Sequence, residues 1–130
     1  EAVKWYRVAL RTKPDDVATM NNLAWTLGEL GDSTALSIGV KALEAAPSNP
    51  DVLDTVGGLH VKAGDAAKGS ELLAKAVQIA PNRPNLRISY ANALIAQGKR
   101  ADADKQLDEA TRLDPSELTK AAVASLRGTR

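Results

Sequence analysis

Apolar and small residues recur along this chain at helical spacing, in blocks separated by short polar stretches. In the first block, Ala2, Tyr6 and Ala9 lie on one helix face at i, i+4 and i+7. We expect every block to be a helix and the chain to be all-α. The pattern predicts helices at residues 1–12, 16–30, 33–46, 50–63, 66–79, 84–97, 100–113 and 116–127. Residues 128–130 are expected to fray at the C-terminus.

The helices repeat as pairs. Four prolines are spaced 33, 34 and 34 residues apart, at Pro14, Pro47, Pro81 and Pro115. A glycine precedes each later proline at a nearly constant distance, at Gly31, Gly64 and Gly98. Glycine tolerates the left-handed backbone of a tight helix exit, so each of these should end the first helix of a pair. A fixed period of this length is typical of a helical-hairpin repeat.

Small residues also recur in register, which supports the same period. Three columns hold Ala9, Ala42, Ala76 and Ala110; Ala24, Gly57 and Ala91; and Ala2, Ala35, Gly69 and Ala103. Small side chains are needed where two helix backbones approach closely, and larger ones fill the space between.

These columns resemble the tetratricopeptide repeat (TPR) pattern over essentially the whole chain. The pairs Leu23-Ala24, Val56-Gly57 and Tyr90-Ala91 carry the resemblance, with the turn glycines and closing prolines. The family implies hairpins stacked into a right-handed superhelical solenoid with a concave groove. Residues 1–130 would then form one TPR domain. Its parts would be the second helix of a partial repeat at 1–14, full repeats at 15–47, 48–81 and 82–115, and a capping helix at 116–127.

Three positions depart from the family pattern. Gly39 stands where a large side chain is usual, and Arg87 occupies the column of Met20 and Leu53. The first full repeat also lacks one residue in its turn, near Ser33. We expect local looseness around these departures.

In TPR proteins the first helix of each repeat lines the concave groove, so the resemblance implies a partner-binding surface. The corresponding residues are Asn21, Trp25, Asp51, Asp54, Gly58, Val61, Asn85, Ile88 and Asn92. Trp25 beside Gly58 is either a shelf for a side chain of the partner or a packing residue that lies flat over the glycine. Amide and carboxylate groups next to an indole suit an extended peptide, because they bond its backbone while the indole covers a side chain.

Two strings suggest a narrower resemblance. The runs Asn21-Asn22-Leu23-Ala24-Trp25 and Asp54-Thr55-Val56-Gly57 are similar to the C-terminal repeats of bacterial TPR lipoproteins of PEP-CTERM and exopolysaccharide export systems. That resemblance implies a periplasmic or outer-membrane-associated scaffold, although a cytoplasmic location stays open. The chain begins within a repeat, so we expect a fragment whose lipidated cysteine would lie upstream.

Composition narrows the classes of function. Seventeen Lys and Arg residues against 16 Asp and Glu give a net charge of +1, with both signs interspersed. This argues against a dominant electrostatic attraction to nucleic acid or to an anionic membrane. No run approaches the roughly 18 apolar residues that a spanning helix needs, so we expect no direct membrane insertion. The chain has no cysteine and one histidine, His60, which falls on a packing column. No catalytic, cofactor-binding or metal-binding set is recognised, so we predict no enzyme and no cofactor.

Two hypotheses follow. The first is a non-catalytic scaffold that binds a peptide or partner protein in the groove, in bacterial envelope or exopolysaccharide assembly. The alternative is a structural spacer or self-association segment of a longer TPR array, with a homo-oligomer formed through the exposed N-terminal helix.

Overall fold

A computed structural model describes residues 1–128, which form eight helices and no strand. The helices are α1 Ala2–Thr12, α2 Val17–Glu29, α3 Ala35–Ala45, α4 Pro50–Lys62, α5 Ala66–Ile79, α6 Pro84–Ala96, α7 Arg100–Leu113 and α8 Glu117–Arg127. Every predicted helix is present, and the all-α prediction is confirmed. The expected fraying of the terminus concerns mainly residues 129 and 130, which lie outside the described residues.

The turn glycines close three hairpins, α2–α3, α4–α5 and α6–α7. Gly31, Gly64 and Gly98 have φ angles of 72°, 90° and 77°. Such positive angles are costly for any residue with a Cβ atom, so glycine stops each first helix and lets the chain reverse. The prediction made for these glycines is confirmed.

Side-chain caps begin some helices but not all. Asn49 Oδ1 accepts hydrogen bonds from the N–H groups of Asp51 and Val52 at 2.9 and 3.3 Å. Ser116 Oγ accepts one from the N–H of Thr119 at 3.3 Å. Caps of this kind satisfy N–H groups that the first turn of a helix leaves unpaired. At α6 the residue types Asn82 and Asn85 are candidate caps, but Arg83 precedes the helix and no side-chain cap is formed.

The helices form two layers. Each helix packs against the next along the chain, and α2, α4, α6 and α8 also contact one another in that order. No such contact joins the alternate helices α1, α3, α5 and α7, whose Cα atoms stay more than 8 Å apart. We call α2, α4, α6 and α8 the inner row and α1, α3, α5 and α7 the outer row. Three gaps separate the helices of the outer row. We call them the first gap (α1 and α3, above α2), the second (α3 and α5, above α4) and the third (α5 and α7, above α6).

The core consists of leucines and small residues from both layers. Leu23, Leu53, Leu73, Leu86 and Leu107 are at most 1% exposed. The small-residue columns allow close helix approach: a Cβ atom added to Gly69 would lie 2.7 Å from the carbonyl oxygen of Gly57. Contacts this short exclude any side chain at Gly69, so α4 and α5 meet backbone to backbone.

The two terminal helices pack differently from the sequence pattern. Ala2 and Ala9 are exposed, and α1 instead packs on α2 through Val3, Tyr6 and Leu10. In the other hairpins this alanine face is covered by the preceding helix, and no helix among residues 1–128 covers it on α1.

The capping helix α8 was also predicted only in part. The apolar positions Ala121, Ala122, Val123 and Leu126 predict an inward face for this helix, but Ala121 is exposed. Val123 is buried, and Ala122 and Leu126 are half-buried. Only one stripe of α8 therefore faces the core.

The looseness expected around Gly39 is not found. Gly39 is buried, and an added Cβ atom would lie 3.1 Å from Val56 Cγ2 and 3.3 Å from Leu59 Cδ1. Side chains of α4 thus occupy the space that a large residue would fill. In the shortened turn, Asp32 Oδ1 accepts hydrogen bonds from the N–H and hydroxyl of Thr34 at 2.8 and 2.6 Å. Across residues 1–128, no helix combines the length and the hydropathy needed to cross a bilayer.

Candidate binding groove

Two adjoining cavities lie on the inner row of helices, between α2 and α4. The first, of about 320 Å³, contains four of the predicted groove residues: Asn21, Trp25, Asp51 and Asp54. The second, of about 130 Å³, is lined in part by Trp25, Asp54 and Gly58. Trp25, Asp54 and Thr55 line both cavities, and the side chains of Trp25 and Asp54 form the centre of what we call the inner site.

Trp25 projects into this site and does not seal the glycine. Its residue surface is 57% exposed, and a Cβ atom added to Gly58 would meet nothing within 4 Å. The indole therefore does not lie flat over Gly58. The missing side chain leaves a recess beside an accessible aromatic surface, as the shelf hypothesis requires.

Asp54 supplies a carboxylate at the base of the recess. Burial raises the pKa of this carboxyl, and the neighbouring charge of Asp51 acts in the same direction. A hydrogen bond from the Ser89 hydroxyl and the more distant Arg83 lower the pKa but do not cancel the effect of burial. A half-buried carboxylate without a cationic partner gains energy from any donor or cation that a ligand brings to it.

Ion pairs between helices flank the inner site. The Arg83 guanidinium donates to Asp51 Oδ1 at 2.6 Å and links the start of α6 to α4. Lys62 Nζ lies 3.2 Å from Glu29 Oε1 and donates to the carbonyl oxygen of Gly28 at 3.4 Å, which links α4 to α2. These pairs are exposed, so each contributes little to stability. They neutralise Asp51 and Glu29 and leave Asp54 as the acidic group without a direct pair.

Asn21 adds an amide to the same wall. Its Oδ1 atom is buried without a hydrogen-bond partner among the described residues, while the residue lines the larger cavity. A buried acceptor without a partner is costly. A donor brought by a ligand would relieve that cost after a small rotation of the side chain.

The remaining predicted groove residues lie outside the inner site. Asn85 and Asn92 are exposed on α6, and Ile88 packs against the core cluster beside α7. Val61 is turned toward α5, where its Cγ2 atom would lie 2.5 Å from a Cβ atom on Gly69. Its helix position resembles that of a groove residue, but the close approach of α5 draws its side chain into the hairpin.

Sequence reasoning missed four residues with polar or charged side chains that line the smaller cavity. Thr55, Ser89, Glu29 and Lys62 contribute to the smaller cavity. Thr55 and Ser89 each follow a predicted groove residue by one position, and their hydroxyl groups were the available signal. Lys62 and Glu29 are charged residues of α4 and α2 whose pairing, 33 residues apart, follows only from the stacking of the hairpins.

The inner site has the groups for binding and no set for catalysis that we recognise. His60 is half-buried on α4. Among residues 1–128 no group of three or more His, Cys, Asp or Glu side chains converges as a metal site would require. An indole, an amide and a carboxylate together can hold an extended polar chain, with hydrogen bonds to its N–H groups and apolar cover for a side chain.

Comparison with solved structures shows the same fold. MamA gives a TM-score of 0.78 at 13% identity, covering 95% of this chain and 74% of that one. The thermophilic TPR protein TTC0263 of Thermus thermophilus gives 0.82 at 17%, covering 96% and 71%. An O-GlcNAc transferase of Thermobaculum terrenum gives 0.76 at 23%, covering 85% of this chain but 22% of that one.

No curated protein sequence matches the chain. A family model, described as tetratricopeptide repeat, matches residues 60–128, which is more than half of the 130 residues. The repeat columns, the right-handed solenoid of hairpins and this match agree, and the chain belongs to the tetratricopeptide repeat family.

Proposed function

We propose that this chain is a non-catalytic scaffold that binds an extended peptide, or an extended segment of a partner protein, at the inner site. TPR domains typically bind proteins or peptides, so the class of function follows from the family. The observation that carries the assignment to this place is Trp25: an indole that is 57% exposed, beside an open recess at Gly58 and the carboxylate of Asp54.

The chemistry of the site favours a ligand rich in donors. Asp54 and Asn21 offer acceptors, and the nearest cations, Arg83 and Lys62, are already paired with Asp51 and Glu29. A peptide can donate backbone N–H groups to these acceptors while one of its side chains covers the indole. Burying the indole face would supply most of the apolar contact.

A peptide-display selection on immobilised protein would test this. Clones enriched on the wild type are then tested for binding to the Trp25→Ala and Asp54→Asn variants. The matched control is Trp5→Ala, because Trp5 on α1 is the other exposed tryptophan, at 70% exposure. We expect loss of binding with the first two variants and none with the control. Equal binding by the wild type and all three variants would show that the peptides do not bind at the inner site.

The division into repeats and the biological setting are also proposals. We propose a partial repeat at 1–14, full repeats at 15–47, 48–81 and 82–115, and α8 as a cap. The residue strings at Asn21 and Asp54 favour a role in bacterial envelope or exopolysaccharide assembly, and none of the structural neighbours bears on it. Expression of the parent chain with an epitope tag, followed by cell fractionation, would test that setting; recovery only in the cytosol would contradict it.

A second function, self-association within a longer array, is favoured by the end helices. Ala2, Trp5 and Ala9 of α1 are exposed on the face that the other hairpins cover, and α8 exposes Leu118, which is 83% exposed, and Ala121. Seating α8 of one copy against α1 of another would cover both faces. Sedimentation velocity over a hundredfold concentration range would test this; a mass that stays monomeric throughout would contradict it.

A further inference from the structure

The first gap encloses an apolar cleft of about 550 Å³ that shares no residue with the inner site. Leu10, Pro14, Met20, Leu23 and Ile38 form its floor and walls. The volume falls within the range of roughly 300–1,000 Å³ typical of ligand pockets. The cleft is therefore large enough to take several apolar side chains.

Three cations surround the cleft on both walls, and no carboxylate is among its lining residues. Arg7 and Arg11 stand one turn apart on α1, and Lys41 faces them from α3. Within residues 1–128, none of the three makes a direct ion pair, and Arg7 acts only at longer range on Asp32. Seven ion pairs are formed elsewhere in the same residues. The cleft differs from those places because it gathers three cations and has no carboxylate in its lining.

The other two gaps show how this chain closes such a space with its own side chains. In the second gap, Leu53 and Leu72 take the columns of Met20 and Ile38, and Lys75 donates to the carbonyl oxygen of Pro47 at 3.0 Å. In the third, the Arg87 guanidinium donates to the carbonyl oxygen of Pro81 at 3.0 and 3.2 Å and to Gln106 at 2.9 Å. Lys41 occupies the column of Lys75 but makes no hydrogen bond of this kind.

We infer that the first gap is a second binding site, for an acidic peptide segment that presents apolar side chains between its carboxylates. The apolar floor would bury leucine-sized groups, and the three cations would pair with carboxylates on either side of them. Because the cations lie on both walls, they match several carboxylates spread along a peptide better than one anionic headgroup. The assignment is independent of the inner site.

The probe is a blocked, fluorescein-labelled decapeptide with two central leucines flanked by glutamates, measured by fluorescence anisotropy. Two comparison peptides replace the leucines with serine or the glutamates with lysine. We expect binding of the first peptide alone, at least tenfold tighter than either comparison, with affinity falling as salt is raised. Equal binding of all three peptides, or of none, would overturn the proposal.

Matched variants locate the site. Lys41→Glu and Arg11→Glu should each weaken binding at least tenfold. The controls are Lys75→Glu on α5 and Arg112→Glu on α7, which reverse cations of the same two columns outside the first gap and should change affinity less than twofold. Circular dichroism checks that each variant is folded, and Lys41→Gln replaces Lys41→Glu if the latter is not. Equal losses with controls and test variants would overturn the assignment to the first gap.

A second copy of the chain is the competing occupant. Sedimentation velocity of the wild type and of Lys41→Glu distinguishes it from a peptide. Concentration-dependent association that Lys41→Glu abolishes would show that a copy fills the cleft and would overturn the peptide assignment. We expect the wild type to bind the acidic peptide, and any association of the chain with itself to be unchanged by Lys41→Glu.

Discussion

The first and third gaps occupy equivalent positions in the repeat, yet one is open and the other is closed. Met20 and Ile38 leave an apolar cleft between α1 and α3. Arg87 and Gln106, in the same two columns, bridge the gap between α5 and α7 through Pro81. Both solutions preserve the fold, because the core lies between the two rows of helices and not between the outer helices themselves. A solenoid can therefore change its outer surface one gap at a time.

The largest expected loss of stability comes from truncating Leu53 in the closed second gap, which we compare with truncating Met20, in the same column, at the open first gap. Leu53 is fully buried, and Leu53→Ala should destabilise the chain by about 2–5 kcal/mol, as should Leu73→Ala and Leu107→Ala. Met20→Ala should cost no more than about 2 kcal/mol, since the space it leaves joins an existing cleft and adds little cavity energy. Urea denaturation followed by circular dichroism measures each value.

The outcome of that series tests the packing columns directly. A loss below about 1 kcal/mol for Leu53→Ala, which is the size of a surface change, would show that this column does not pack as the structure indicates. An equal loss for Met20→Ala and Leu53→Ala would show that the first gap is closed in solution.

The close approach of α4 and α5 gives the second expected effect. Gly69→Ala would place a Cβ atom 2.7 Å from the carbonyl oxygen of Gly57, so the helices must separate, at a cost of about 1–3 kcal/mol. The control is Gly58→Ala, whose Cβ atom meets nothing within 4 Å. There we expect stabilisation by about 0.5–1 kcal/mol, because alanine loses less conformational freedom in a helix.

Thermal unfolding of both glycine variants measures this contrast. If Gly69→Ala were as stable as the wild type, the α4–α5 hairpin would not depend on backbone contact between its two helices. Ala35 occupies the same column in the first hairpin and is buried, so that hairpin accommodates a methyl group at this position.

Arg87 gives a smaller effect and tests what closes the third gap. Arg87→Ala removes hydrogen bonds to Pro81 and Gln106 and should cost about 1–2 kcal/mol, because a charged donor is lost from a half-buried position. The control, Arg83→Ala, breaks an exposed pair with Asp51 and should cost less than about 1 kcal/mol. Equal losses in urea denaturation would mean that Arg87 is no more than another surface residue.

The fold could be predicted from the sequence, whereas the open cleft could not. The spacing of Pro14, Pro47 and Pro81 and the turn glycines act through local backbone preferences, which a single sequence displays. Whether Ile38 or Leu72 closes a gap depends on how closely helices that are distant in sequence pack together. The same limit explains Val61, whose side chain turns to α5 because Gly69 lets that helix approach. At the inner site, Trp25 and Asp54 were found because both fall on columns of the first helices, which line the groove in TPR proteins.

The smallest expected effects are changes of stability with pH, caused by one carboxylate near each end of the solenoid. Hydrogen bonds from the Thr34 hydroxyl and N–H lower the pKa of Asp32, beside the first gap. Hydrogen bonds from Thr119 and Ser116 lower the pKa of Asp114, beyond the third. Each carboxylate therefore contributes stability that is fully present above the ordinary pKa of 3.8 and is lost as the pH falls through the lower folded value.

The stability that Asp54 contributes should change with pH in the opposite direction to that of Asp114. Burial raises its pKa, so the stability it contributes is greatest below pH 3.8 and falls as the pH rises through the raised value. The free energy of unfolding of Asp114→Asn should thus be lower than that of the wild type at pH 6 and approach it at pH 3. For Asp54→Asn, the free energy of unfolding should rise relative to that of the wild type as the pH rises. We expect the loss to be smaller for Asp32→Asn than for Asp114→Asn, because Asp114 also accepts a hydrogen bond of 2.6 Å from the buried Thr119 hydroxyl and so anchors α8. Urea titrations at four pH values measure all three variants, and a common sign for Asp54 and Asp114 would contradict the burial of Asp54 on which the inner site depends.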